Sequence, residues 1–155
     1  MEIMRRYFVD HPEIHIGTLF SKDMKPPIII ARRDPKNGAP GTTKDEANLR
    51  PALVTISCIT EGLEAEAKGE QIMEAIHHAL LMAVREQWVV QGHGSISEIR
   101  NRSPYSRKSD WQSSTGIVQY ASLPKEYVRM EAVYLLMLRP PRPSTITNPY
   151  IPLAK

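Results

Sequence analysis

Apolar residues return every three or four positions along residues 65–84, AEAKGEQIMEAIHHALLMAV. This spacing places them on one side of an α-helix, and charged residues mostly take the other side. The members of this apolar stripe are Ile72, Ile76, Ala79, Leu80 and Ala83. The pattern therefore predicts one long amphipathic helix over about residues 63–86, whose apolar face must pack against the rest of the domain.

Two adjacent histidines, His77 and His78, lie inside this predicted helix. Neighbouring helical residues point about 100° apart, so the two rings cannot hold one ion side by side. Glu74 and His77 have the Glu-x-x-His spacing of di-iron helix bundles, but those bundles need the motif twice and this sequence has it once. We therefore predict that the two histidines bind no metal and belong to a solvated or interfacial helix face.

Two segments before the long helix have the composition of β-strands. Residues 26–33, PPIIIARR, contain three consecutive isoleucines, and β-branched side chains favour strands. Residues 52–60, ALVTISCIT, alternate between two faces as a strand does. Because one long polar loop separates these segments, a hairpin with an oversized tip is the simplest pairing.

After the long helix, residues 88–102 read as a turn followed by a strand, and residues 127–138 read as the last strand. That last strand is apolar on both faces at its end, as in a central or covered strand. With a short helix over residues 2–11, the segments predict an α+β fold in the order α-β-β-α-β-β. We expect a mainly antiparallel sheet packed by one long helix and a short N-terminal helix, in a single α/β domain over residues 1–138.

Residues 139–155, RPPRPSTITNPYIPLAK, differ from the rest of the chain. Prolines recur too often for a helix or a central strand, so this segment is predicted to be a proline-rich extended C-terminal arm. Four apolar residues on it are predicted to fill pockets on another chain: Ile146, Tyr150, Ile151 and Leu153. The alternative is an arm that packs on its own domain.

The polar loop over residues 34–51 is longer than a hairpin needs, and it intersperses both signs of charge. Mixed charges suit the register and steering of a partner. We predict that this loop is a contact arm, with Lys36, Lys44 and Arg50 as interface residues.

A basic cluster lies between residues 100 and 111, and its predicted contact residues are Arg100, Arg102, Arg107, Lys108 and Trp111. Together with Tyr105, these side chains have the types that bind phosphate and stack bases. A solvated loop or a protein interface is the alternative. The net charge of +3 is weak support for nucleic acid, because many solvated domains are equally basic.

No segment has a recognisable catalytic motif. Residues 38–46, GAPGTTKDE, carry glycine, threonine and lysine in the wrong order for a Walker loop. Residues 92–95, GHGS, do not match the strand-to-helix elbow of serine hydrolases. The single cysteine, Cys58, offers no paired-cysteine metal site and is expected in the core. We expect no enzyme and no cofactor.

The predicted element order and four quoted segments resemble the tail terminator proteins, also called tail completion proteins, of tailed bacteriophages. EIMRRYFVDHPEI resembles their opening helix, and KPPIIIARR their first strand. ALVTISCITEGLEAEAKGEQIMEAIHHAL resembles their strand, turn and helix, and YVRMEAVYLLMLRP their closing strand. The likeness covers about residues 1–140. The insertion at residues 103–116 and the arm depart from the usual compact form of the family.

The resemblance implies a structural virion protein that forms a homohexameric ring, caps the head-proximal end of the tail tube and joins it to the neck. The implied partners are further copies of the chain, the tail tube protein, neck or head-completion proteins, and a sheath protein where the tail contracts. DNA would pass through the lumen without specific binding, and no membrane is involved. Assembly is expected in the host cytoplasm, with the product in the virion tail or neck. The alternatives are another neck or head-completion connector protein, or a nucleic-acid-binding module.

Overall fold

The computed structural model describes residues 1–21, 23–34, 49–108 and 127–141. Their helices and strands are α1 (Glu2–Tyr7), β1 (His15–Gly17), β2 (Ile28–Arg33), β3 (Arg50–Glu61), α2 (Ala65–Arg85), β4 (Val89–Val90), β5 (Gly94–Lys108) and β6 (Tyr127–Arg139). The predicted α+β class is confirmed. The predicted element order contains neither β1 nor β4, because strands of three and two residues are too short to produce a periodic signal.

The six strands form one sheet in the order β1-β2-β3-β6-β5-β4. Only the β1–β2 pair is parallel, and the other neighbours are antiparallel. The two central strands, β3 and β6, pair along the whole of β3, from Arg50 opposite Leu138 to Glu61 opposite Tyr127. The predicted pairing of the segments that became β2 and β3 is confirmed, whereas most of the polar loop between them, residues 35–48, lies outside the described residues.

Both helices pack on the same face of the sheet. The predicted stripe of α2 is buried, together with Ala65, Gly69 and Met73 on the same side of the helix. At Gly69 an added Cβ would lie 3.2 Å from Met130 Cγ and 3.3 Å from Thr60 Oγ1. Thr60 also donates a hydrogen bond of 2.6 Å from Oγ1 to the carbonyl oxygen of Ala65. The glycine therefore permits a close approach of α2 to the two central strands.

The opposite face of the sheet is buried as well over part of its area. A small cluster of Ile28, Ile30 and Ile59 packs there against Phe20 and Met24. Beside it lie two buried charged residues, Arg129 and Glu131, which are 1% and 5% exposed. The guanidinium Nη1 of Arg129 donates to Glu131 Oε2 at 3.1 Å, and the Ser57 hydroxyl donates to the same oxygen at 3.2 Å. This face thus holds an ion pair inside the fold.

The C-terminus of α2 is closed by a Schellman motif. The backbone N–H of Trp88 donates to Ala83 O at 2.9 Å, and that of Gln87 donates to Val84 O at 3.2 Å. Gln87 occupies the left-handed position of the motif, with φ of 51°, where glycine is usual. This ending turns the chain sharply and presents Trp88 just beyond the helix.

We expect Gln87→Gly to stabilise the protein by about 1 kcal/mol, because glycine adopts a positive φ without the steric cost that other residues bear. The melting temperature should rise by about 2–4 °C for a chain of this size. Gln71→Gly is the matched control, since Gln71 is an exposed position inside α2 and its replacement should cost about 1 kcal/mol. Equal decreases in the melting temperature of both variants would contradict the positive φ assigned to Gln87.

Burial keeps the thiol of Cys58 protonated, as its desolvation raises the pKa to about 12. We expect no reaction with a thiol reagent at pH 8 in the folded protein and full reaction after denaturation, since the thiolate is the reactive form. In the unfolded chain the thiol ionises near pH 8.5. The free energy of unfolding should therefore decrease as the pH rises from about 8.5 towards 12. Rapid modification of the native protein would contradict this burial.

Candidate functional site

An open groove of about 890 Å³ lies between α1 and one end of the sheet. Its apolar lining comes from α1, the segment after α2, and the ends of β5 and β6. Its apolar side chains include those of Ile3, Trp88, Val89, Val90, Ile96 and Leu138. Val89 is 70% exposed, so the groove presents apolar surface to solvent. Exposed apolar concavities of this kind are typical of interaction sites.

Trp88 is held in a fixed position on the wall of this groove. Its indole Nε1 donates to Glu86 Oε2 at 2.7 Å, and the guanidinium carbon of Arg6 lies 4.4 Å from the ring centroid. Such a cation–π contact contributes about 0.5–1 kcal/mol at an exposed site. Arg6 and Trp88 thereby link α1 to the chain segment that follows α2. The groove lies between α1 and this segment.

The two adjacent histidines of α2 hold different parts of the fold together. His78 Nδ1 is hydrogen-bonded to the Tyr7 hydroxyl at 2.9 Å, which joins α2 to α1. The ring of His77 stacks on Tyr134 of β6, with centroids 5.9 Å apart and an interplanar angle of 19°. The rings diverge as helical geometry requires. Both have packing roles, His78 towards α1 and His77 towards the sheet.

Gly94 brings the start of the C-terminal arm to the edge of the groove. Its φ is +92°, and an added Cβ would lie 2.0 Å from Arg139 O and 2.9 Å from the carbonyl carbon of Pro140. Gly94 itself lines the groove. The chain therefore leaves the last strand directly beside this concave surface.

The described members of the predicted basic cluster do not form one surface. Arg100 Nε donates to Glu98 Oε1 at 2.6 Å, and Arg107 Nη1 donates to Glu66 Oε2 at 3.2 Å. Arg107 lies on the face covered by α2, opposite Met130, whereas Lys108 lies opposite Arg129 on the other face. Irregularities in β5 between residues 96 and 106 interrupt its alternation.

Tyr105, a predicted base-stacking residue, is engaged by α2 instead. Its hydroxyl is hydrogen-bonded to Glu74, and this bond is the largest cause of the raised pKa of Tyr105. Partial burial and the nearby negative charges raise the pKa further. Glu70 adds to the same upward shift. With the Arg107–Glu66 ion pair, this contact ties β5 to an acidic row on the helix. The signal in the sequence is the spacing of four residues among Glu66, Glu70 and Glu74, which places them on one helix face.

The other predicted contact residues are either exposed or lie outside the described part of the chain. Arg50 is exposed at the start of β3, opposite Leu138. Outside the described residues are Lys36, Lys44, Trp111, Ile146, Tyr150, Ile151 and Leu153. The groove residues Trp88 and Val89 were not among the predicted contacts, although an apolar Trp-Val-Val run directly after a helix end is a visible signal.

Comparison with known proteins assigns no family: no protein-family model and no curated protein matches this chain. Within residues 1–21, 23–34, 49–108 and 127–141, no group of three or more His, Cys, Asp or Glu side chains is arranged to hold a metal ion. Neither helix of the described part is long and apolar enough to cross a bilayer.

Proposed function

We propose that this chain is a structural subunit of a tailed-bacteriophage tail, namely a tail terminator. Copies of it form a ring that caps the head-proximal end of the tail tube and joins the tube to the neck. The observation that carries the proposal is the α+β architecture with a mostly antiparallel sheet, which is the fold class that the resemblance implies.

The two strands that interrupt this order, β1 and β4, are only three and two residues long. The remaining elements are α1, β2, β3, α2, β5 and β6, which is an α-β-β-α-β-β order. The four long strands are antiparallel neighbours in the sheet. A helix of 21 residues and one of six residues pack against one face. This α+β arrangement supports the proposal, since the resemblance implies a mainly antiparallel sheet packed by helices.

A ring also requires two different complementary surfaces on each subunit, because its contacts are head-to-tail. The groove beside α1 supplies one concave apolar surface. Within the described residues, the outer edge of β5 is paired only at Gly94 and Ser95, by the two residues of β4. The rest of this long edge carries charges and irregular positions, which disfavour uncontrolled strand addition. Both surfaces are compatible with a specific assembly.

The described part of the basic cluster gives little support to the nucleic-acid-binding alternative. Single-stranded nucleic acid is bound in a continuous basic groove with aromatic platforms. In this chain Arg100 and Arg107 have carboxylate partners, and Tyr105 is engaged by Glu74. A passage for DNA through a ring requires no such specific site.

The proposal is tested by mass and by tail morphology. Light scattering on the purified protein should give the mass of six copies of the 17.6 kDa chain, and electron microscopy should show rings with a central opening. Removal of the chain from its phage should give tubes of irregular length that do not join heads, and supplying it in trans should restore normal tails. A persistent monomer together with normal tails in its absence would disprove the proposed function.

A further inference from the structure

We propose that the groove beside α1 binds the C-terminal arm, residues 142–155, of a second copy of this chain. The inference rests on the proposed function only in that a ring supplies the neighbouring copy. It assigns an occupant to the groove and a binding surface to the arm. Three properties of the chain support it: the chemistry of the groove, the chemistry of the arm, and the length of the arm.

The groove is suited to an extended, proline-rich segment. Apolar side chains contribute much of its wall, and Trp88 presents a ring whose position is fixed by Glu86 and Arg6. Grooves lined by aromatic side chains bind proline-rich segments because the ring packs on the pyrrolidine and the extended backbone is already ordered. The cost of ordering the segment on binding is correspondingly small.

The groove is lined by one acidic side chain, that of Glu2, and by two guanidinium groups, those of Arg5 and Arg6. Arg5 Nη1 lies 3.7 Å from Glu2 Oε2, and Arg6 lies over the Trp88 ring. An occupant without cationic side chains suits such a surface, since it adds no like charge beside the excess guanidinium. Residues 143–154 contain no charged side chain, and they carry Ile146, Tyr150, Ile151 and Leu153 among prolines.

The length of the arm allows it to reach the groove of a second copy. The arm starts at the groove edge, where Gly94 contacts the backbone of Arg139 and Pro140. Prolines at positions 140, 141 and 143 favour an extended start. At about 3.1 Å per residue, Ile146 would lie about 15 Å and Leu153 about 37 Å beyond Pro141. An extended arm of this length is long enough to reach the groove of a neighbouring copy.

Photo-cross-linking on the full chain tests the occupant. Tyr150 is replaced by p-benzoyl-phenylalanine, and isotopically heavy and light proteins are mixed, dissociated and reassembled before irradiation. We expect heavy–light products that join position 150 to residues 88–95. Products only within one copy would show that the arm occupies its own groove and would overturn the proposal. Products only at other surfaces, or none at all in the assembled protein, would overturn it as well.

A pair of valine variants tests the groove independently. Val89 lines the groove and is 70% exposed, and Val9 lies outside it with the same exposure. Val89→Glu should raise the concentration for half-maximal assembly by about tenfold or more, because the occupant would desolvate the new carboxylate. Val9→Glu should leave that concentration within about twofold. Equal behaviour of the two variants would contradict a role for the groove in assembly.

The outcomes separate this inference from the proposed function. Rings whose arms cross-link elsewhere would disprove the arm–groove contact and leave the tail terminator proposal intact. Cross-links from position 150 to residues 88–95 between copies in a particle that is not a ring would support the contact and contradict the tail terminator proposal.

Discussion

Glu131→Ala should lower the free energy of unfolding by about 3–5 kcal/mol, because it removes one partner of a buried ion pair. Arg129 is 1% exposed and donates from Nη1 to Glu131 Oε2. Without that carboxylate the guanidinium loses a charged acceptor inside the fold, and the Ser57 hydroxyl loses its acceptor too. Urea denaturation followed by circular dichroism measures the effect.

Glu98→Ala is the control for this prediction. Glu98 and Arg100 are also two residues apart on a strand and lie 2.6 Å apart, but their side chains are 49% and 66% exposed. Exposed ion pairs contribute about 0–1 kcal/mol, so this variant should lose less than about 1 kcal/mol. Losses of similar size in the two variants would mean that burial of the Arg129–Glu131 pair has no energetic consequence, contrary to the prediction.

Gly94→Ala should lower the free energy of unfolding by about 2–5 kcal/mol, through the combined cost of an unfavourable φ and a steric conflict. The added methyl group would lie 2.0 Å from the carbonyl oxygen of Arg139, which is backbone and cannot rotate away. The start of the arm must move if the variant folds. Thermal unfolding gives the stability, and the assembly assay described above reports whether the moved arm still binds.

Gly92→Ala separates the two contributions. Gly92 has φ of +75°, but nothing lies within 4 Å of an added Cβ. Only the backbone cost remains, so the loss should be about 1–2 kcal/mol. If Gly94→Ala cost no more than Gly92→Ala, the close packing of the arm's first residues against β5 would be wrong.

Local periodicity was sufficient to place the apolar face of α2. The five residues of the stripe are buried because a helix with that spacing has only one side that can leave water. The β2 and β3 segments were similarly visible from β-branched composition and alternation. In each case neighbouring residues along the chain contain the whole signal.

The burial of Arg129 and Glu131 in β6 could not be predicted from the sequence pattern. By alternation, these charged residues belong to the face opposite Met130 and Ala132, which is the face a sequence assigns to solvent. They are buried because other parts of the chain cover that face. Whether a face is covered depends on contacts between residues far apart in sequence, such as Ser57 with Glu131. The pattern of neighbouring residues does not predict such contacts.

The pairing of the charges in the basic cluster could not be predicted from the sequence either. Its residues lie close together in sequence, yet Arg107 is paired with Glu66 of α2, which is distant along the chain. Lys108 lies on the other face of the sheet, because successive side chains of a strand alternate. The sequence by itself determined the α+β class, the apolar face of α2 and the proline-rich composition of the arm. Only the tertiary structure decided which charges are paired and where the groove forms, because both depend on how α1, α2 and the sheet meet in space.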